Sequence, residues 1–398
     1  MCLACLVGLS LVLAGCGSGG TTSASPSAAS QDPIIIGAAM GFTGFMVTWD
    51  DPVYQAALLA IDDINAKGGV LGRQLQMVRA DTKSDQAQGP LAASDVLDKG
   101  AQMVIVSTDF DMGSPAALVA QSKGAVSFSG AVSPMFGVQG VGDLAFSSSD
   151  SSTTEAAVGA TFAISKGWKT AYILVDETVA AERDFGKYFE VSYTELGGKV
   201  VGQDTFKNDD QSIAAQITHL QSLSPQPSMM VLASYAPGGP AALRQIRAAG
   251  IDIPVVGADD WDGVFWLEAV PGVKDVYGCV PRSLYGDDPD PEVNSFYQRV
   301  EDALGKPVDS SLAIGGYTAV QAYAAAVEKA GSTDGKAVAA ALEQLVDYPT
   351  ISGPVTYTAT DHIIYGREMT VVGFFEGNGH FVERVLPENV PPYTFGSN

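Results

Sequence analysis

One alternation runs through this sequence: short apolar stretches, many of them β-branched, are followed repeatedly by segments with helical spacing. Ile34-Ile35-Ile36 reads as a buried strand. Tyr54, Ala57, Leu58, Ile61 and Ile64 then recur at the helical interval until Gly68-Gly69 ends the pattern. Strand 75–80, helix 87–99, strand 102–106 and helix 114–123 follow. Parallel strands must be joined by long crossovers, and helices of this length supply them. The βαβα order therefore predicts an α/β fold with a parallel sheet covered on both faces.

The series restarts near Leu144. Strand 170–175, a helix ending at Gly197-Gly198, strand 199–206, helix 210–222, strand 228–232, helix 239–249 and strand 254–257 repeat the same grammar. The helix–Gly-Gly–strand arrangement at 68–69 returns at 197–198, which predicts two lobes of one architecture. With 398 residues, 46% of them hydrophobic, the chain has material for two cores. Tyr317, Val320, Ala324 and Val327 mark a long later helix, and 353–357, 369–375 and 380–385 read as short strands. Ligands of open α/β sheets bind beyond the carboxyl ends of the strands, so the loops of interest are 40–52, 107–113, 129–134, 176–182, 233–238 and 258–263.

The N-terminus has a different composition. Residues 1–31 carry no charged side chain, and Leu3 to Leu13 form an apolar run of 11 residues, short for a bilayer that takes ~20. Residues 1–16 read as the hydrophobic core of an export signal running into Leu13-Ala14-Gly15-Cys16, which is similar to a bacterial lipobox with Cys16 as the lipidated residue. Residues 17–31, rich in Gly, Ser and Thr, read as a flexible tether. No later run is apolar enough to span a membrane, so the expected product is a folded body leashed to the outer face of the cell membrane or in the periplasm. Cys2 and Cys5 leave with the signal and Cys16 is acylated, so Cys279 remains as an unpaired thiol.

Charge and missing motifs exclude several functions. Forty-five acidic against 22 basic residues give a net charge of −23, which repels phosphate backbones and argues against nucleic acid. The G-x-G-x-x-G match at Gly15-Cys16-Gly17-Ser18-Gly19-Gly20 lies in the tether with no strand before it. Asp287 to Glu292 is acidic but lacks the turn glycine of a calcium loop and reads as a connecting loop. His219, His362 and His380 are far apart, so no metal site is expected. These readings predict a protein that is not an enzyme and needs no cofactor.

Several blocks resemble the type I periplasmic solute-binding proteins, in the branched-chain amino-acid-binding (leucine-binding-like) branch of ABC importer components. They are Thr43-Gly44, the run from Ala60 to Arg73 (AIDDINAKGGVLGR), Gly257-Ala258-Asp259-Asp260-Trp261-Asp262, Gly316-Tyr317-Thr318-Ala319-Val320, Ala326 to Gly331 and Gly353-Pro354-Val355. The resemblance implies two doubly wound parallel-sheet lobes joined by a three-crossover hinge. Lobe 1 would take 32–148 plus 278–366, and lobe 2 would take 149–277 plus 367–398. It also implies a small amino acid or related amine or amide as ligand, an ABC permease as membrane partner, a lipid anchor and a monomeric body. A sensory module signalling through a separate membrane partner would use the same lobes. A secreted hydrolase would differ by returning its ligand altered.

The resemblance also implies site residues. Trp49 and Tyr235 take the places of ligand-facing aromatics, and Asp259 that of the acid receiving a substrate ammonium. Trp261 follows on the same loop, as a ligand contact or a buttress. Where the family holds a substrate carboxylate with hydroxyls and backbone N–H groups, this chain has Asp109, Phe110 and Asp111 in the first loop. The second loop has Gly130, Ala131 and Val132 between Ser129 and Ser133. Acids in place of serines favour a cation over a carboxylate. The alternative for Asp109 and Asp111 is that one caps the helix expected near Ser114 and the other is solvated.

Overall fold

A computed structural model describes residues 32–395. Cys16 and the 17–31 tether lie outside the described residues. Strands β1 (Ile34–Met40), β2 (Leu75–Asp81), β3 (Met103–Val106), β4 (Val126–Ser129) and β5 (Ala145–Ser147) form an all-parallel sheet in the order 2-1-3-4-5. Its crossovers include α1 (Val47–Ala66), α2 (Gly89–Asp98) and α3 (Phe110–Ser122). The central strands β3 and β4 are buried on both faces, which is why they read as continuous apolar runs, whereas the edge strand β2 is partly exposed.

The second sheet repeats that plan. Helices α4 (Ser152–Ser165), α5 (Ala180–Glu195), α6 (Ala214–Ser222) and α7 (Gly238–Ala248) alternate with β6 (Thr170–Asp176), β7 (Lys199–Phe206), β8 (Met229–Ala233), β9 (Val255–Gly257) and β10 (Val276–Val280). Their parallel order, 7-6-8-9-10, has the topology of 2-1-3-4-5 in the first sheet. The chain then packs α8 (Pro291–Leu304) and α9 (Ala313–Ala330) on α1, with α10 (Gly335–Leu342) on α9 and β4. A hairpin of β11 (Tyr348–Thr350) and β12 (Gly353–Val355) follows. It returns to the second sheet as antiparallel β13 (Met369–Phe375) and β14 (Asn378–Val385). The chain thus passes between the sheets three times.

The glycine pairs have a local cause. Gly68 (φ 109°) and Gly69 (φ 78°) turn the chain out of α1, and a Cβ on Gly69 would collide with the Arg73 carbonyl. At 197–198 only Gly197 is left-handed (φ 86°), whereas Gly198 leaves room for the Tyr193 ring.

Two helices start earlier than their patterns predict. α3 begins at Phe110 rather than Ser114, and α1 at Val47, inside the loop expected over 40–52. Pro52 and Pro115 each sit five residues inside their helix, not at the first turn where proline is most at home. α6 starts at Ala214, past the expected 210, and α4, α8 and α10 carry no prior expectation. None of the described helices is long and apolar enough to cross a membrane.

Candidate functional site

In a doubly wound sheet the loops diverge where neighbouring strands send their crossovers to opposite faces, and the crevice opens there. The first sheet reverses at β1/β3 and the second at β6/β8. Loops from both reversals line a single cleft of about 570 Å3, counting its mouth. Its walls include Met46, Trp49, Thr108, Asp109, Gly130 and Val132 from the first half. Val179, Ala181, Tyr235, Asp259 and Asp260 come from the second.

Buried carboxylates fix these loops. Asp50, in the first turn of α1, is fully buried and accepts four hydrogen bonds: Gly41 N (2.7 Å), Ser107 Oγ (2.7 Å), Thr108 N (2.9 Å) and Thr108 Oγ1 (3.0 Å). It ties the end of β1 to the end of β3 and, being next in sequence, sets the position of Trp49. Burial raises its pKa against the pull of those donors. Asp176, at the end of β6, does the same in the second half, accepting from Thr178, Asn208 Nδ2 (2.8 Å) and Ser234 Oγ (2.8 Å). Thr43 hydrogen-bonds Asp81 through its hydroxyl at 2.7 Å, so Thr43-Gly44 holds the loop before α1.

Trp49 and Tyr235 meet edge to face across the two halves, with ring centroids 6.3 Å apart and planes at 72°. Trp49 is 6% exposed, and its Nε1–H has no hydrogen-bond partner. Asp109 both lines the cleft and caps α3, accepting from Met112 N at 3.0 Å. Burial, with Asp111 and Asp260 close by, pushes its pKa up to about 7. Asp111 points to the other half and accepts from Ala180 N at 3.2 Å, at the start of α5.

The remaining predicted residues divide. Phe110, Gly130, Val132 and Asp259 line the cleft with Trp49, Asp109 and Tyr235. Ala131 is buried behind it, its N–H donating to Ser129 Oγ (3.0 Å) and its carbonyl accepting from Ser147 Oγ. Trp261 lies in the core beneath the loop. Its Nε1 donates to the Leu232 carbonyl (2.9 Å) and its ring abuts Trp266. The cleft does not include Asp111, Ala131 or Trp261.

Three acids that sequence reasoning passed over as site residues, Glu155 and Asp260 beside Asp259 and Glu182 beside Asp260, extend the cleft's acidic wall. Asp259 is 4% exposed, and its N–H donates to Glu155 Oε1 at 2.6 Å. Glu155 is buried in the first turn of α4, Asp260 lines the cleft, and Glu182 is buried in the first turn of α5. Burial first, then mutual repulsion, raises the pKa of Asp259, Glu155 and Glu182 well above the ordinary carboxylate range. Asp262, whose Oδ2 accepts from Ser311 N, is pushed up to about 8, again chiefly by burial. The one available signal for Glu182 was its place on the buried stripe of α5 with Phe185 and Phe189.

Among the described residues no group of three or more His, Cys, Asp or Glu is arranged to hold a metal ion. His362 stacks on Phe146 and hydrogen-bonds the Ala145 carbonyl, whereas His219 pairs with Asp204. Cys279 is a buried free thiol.

The model of the periplasmic binding protein family matches residues 33–377. The Leu/Ile/Val-binding protein BraC3 of Rhizobium johnstonii is 25% identical over 333 residues, 82% of this chain and 88% of that one. The isoleucine complex of the branched-chain amino acid transporter substrate-binding protein LivJ from Streptococcus pneumoniae superposes with a TM-score of 0.76 at 20% identity, covering 88% and 99% of the two chains. The benzoate complex of a solute-binding protein from R. palustris superposes at 0.73 with 17% identity, covering 90% and 98%. One backbone plan thus carries an aliphatic amino acid in one protein and an aromatic acid in another, so ligand identity lies in the side chains.

Proposed function

This chain belongs to the periplasmic binding protein family, in the type I fold of its branched-chain amino-acid-binding members, and from that premise we propose that it is the lipid-anchored solute receptor of an ABC importer. The family binds solutes outside the cytoplasm and is not enzymatic. In the proposed cycle Cys16 carries the anchor and residues 17–31 the leash. The lobes, 32–148 plus 278–366 and 149–277 plus 367–398, close about the three crossovers. The guest is an amino acid or a related small amine or amide, and the permease recognises the closed monomer.

The observation that carries this reading is convergence. Trp49 and Asp109 from one half, and Tyr235 and Asp259 from the other, line the same cleft. A ligand there touches both halves, so its binding free energy favours the closed arrangement. Water expelled on closure strengthens each polar contact.

The test is a thermal-shift screen of amino acids, amines, amides and aromatic acids. A ligand present at one hundred times its dissociation constant stabilises the protein by ~2.7 kcal/mol. Asp259→Ala removes the shift given by the best ligand while the variant still unfolds cooperatively. A panel in which nothing shifts the unfolding temperature would refute the reading.

A further inference from the structure

The cleft has one sign of charge. Asp109, Asp259 and Asp260 line it, Glu155 and Glu182 lie behind them, and no Lys, Arg or His is among its lining residues. An acidic cluster by itself is only a cluster. Glu182 adds something different: it is 0% exposed, and its carboxyl has no hydrogen-bond partner other than a second acid, the cleft-lining Asp260. The groups that act on it are themselves acids, namely Asp260, Asp176 and Glu155. Two buried carboxyls in hydrogen-bond contact hold a proton between them, and both can ionise only when a cation takes that proton's place.

The opposite pole is weak. Thr108 gives both its N–H and its hydroxyl to Asp50, and Ser129 gives its hydroxyl to the Ser107 carbonyl, while the Trp49 Nε1–H stays unpaired as a neutral donor. Trp49 and Tyr235 add aromatic surface, which attracts cations.

We propose that the solute is an organic cation without a free carboxylate, its amine or guanidinium group shared between Asp259 and the Glu182–Asp260 pair. This rests on the solute-receptor reading above and narrows its ligand class. With the cleft empty, the acids share protons; the arriving cation displaces them and supplies charged donors to the same carboxylates.

Matched pairs test it on the full chain by isothermal titration: isopentylamine against leucine, and agmatine against arginine. Each amine binds at least tenfold tighter than its amino acid, and Glu182→Gln weakens amine binding at least tenfold without lowering the unfolding temperature. Asp260→Asn, at a partly exposed position, gives the same loss and stands in if the first variant fails to fold. If leucine or arginine binds as tightly as its amine, or if both variants bind amine unchanged, the cation assignment is overturned and the receptor reading survives. Failure of all four compounds overturns both.

Discussion

Replacing Asp50 with alanine measures how much of the site is held by one carboxylate. The side chain is fully buried and has no cationic partner, so its whole contribution is four accepted hydrogen bonds. The Ser107 and Thr108 hydroxyls can rotate towards other acceptors. The Gly41 and Thr108 N–H groups cannot, and each buried donor left unpaired costs about 1–3 kcal/mol. Asp50→Ala should therefore lose about 4 kcal/mol from a total stability on the order of 5–15 kcal/mol. Asp50→Asn keeps one acceptor oxygen for Thr108 but turns an NH2 group towards Gly41 N–H, and should lose about half as much. Urea denaturation followed by circular dichroism reads both values. A loss below about 1 kcal/mol for alanine, at unchanged denaturant slope, would refute this hydrogen-bond reasoning.

Two further outcomes follow from buried charge. Asp109 is pushed up to about 7 and Asp262 to about 8, while Asp259, Glu155 and Glu182 are also raised. An unfolded carboxylate titrates near ~4, so between pH 4 and 8 the folded state binds more protons and stability falls as pH rises. The urea midpoint of unliganded protein should be higher at pH 5.5 than at pH 8, and an equal or reversed order counts against the buried acid cluster. His362, lowered by burial, works the other way below its ordinary value, but it is one group against five. Separately, Arg367 and Asp150 pair bidentately at 2.6 and 3.1 Å beside the crossovers, both nearly fully buried. Arg367→Ala strands the carboxylate and should cost about 3–5 kcal/mol in the same assay, whereas Arg367→Met with Asp150→Leu should cost much less.

The two-lobed α/β plan was legible because its information is periodic: buried strands and amphipathic helices alternate often enough to outweigh local errors. Helix starts were not, and the reason is specific. The periodic apolar residues begin only at Tyr54 for α1, and the pattern for α3 covers only 114–123. The site residues Trp49, Phe110 and Asp111 therefore fell in apparent loops, whereas they occupy the first turns, with Asp109 as a cap. Trp261 sat beside the right loop, but a strand-end position does not say which way a ring points. Here Gly257 leaves space for the ring to fold down over β9. Glu155 and Glu182 were hidden for the opposite reason: an acid in the first turn of a helix is an ordinary response to the helix dipole, and only the fold reveals that these two are buried.

The cleft's chemistry is divided unequally between two halves of like topology. Asp259, Asp260, Glu155 and Glu182 all belong to loops and helices around the second sheet, whereas Trp49, Phe110 and Leu312 come from elements packed on the first; Asp109 in the first half and Tyr235 in the second are the exceptions. Carboxylates crowded in one half repel one another at any degree of opening, so that cost is present before closure and is relieved by protons or by a cation. The apolar half gains only when it covers something, since its contribution is surface removed from water. Under the proposed reading, charge recognition therefore belongs to the open state and closure to the aromatic half. Trp49→Ala should then weaken binding mainly through faster ligand release, visible in stopped-flow fluorescence as a raised dissociation rate at nearly constant association rate. A variant slowed in association instead would assign the first encounter to the aromatic half and reverse that division of labour.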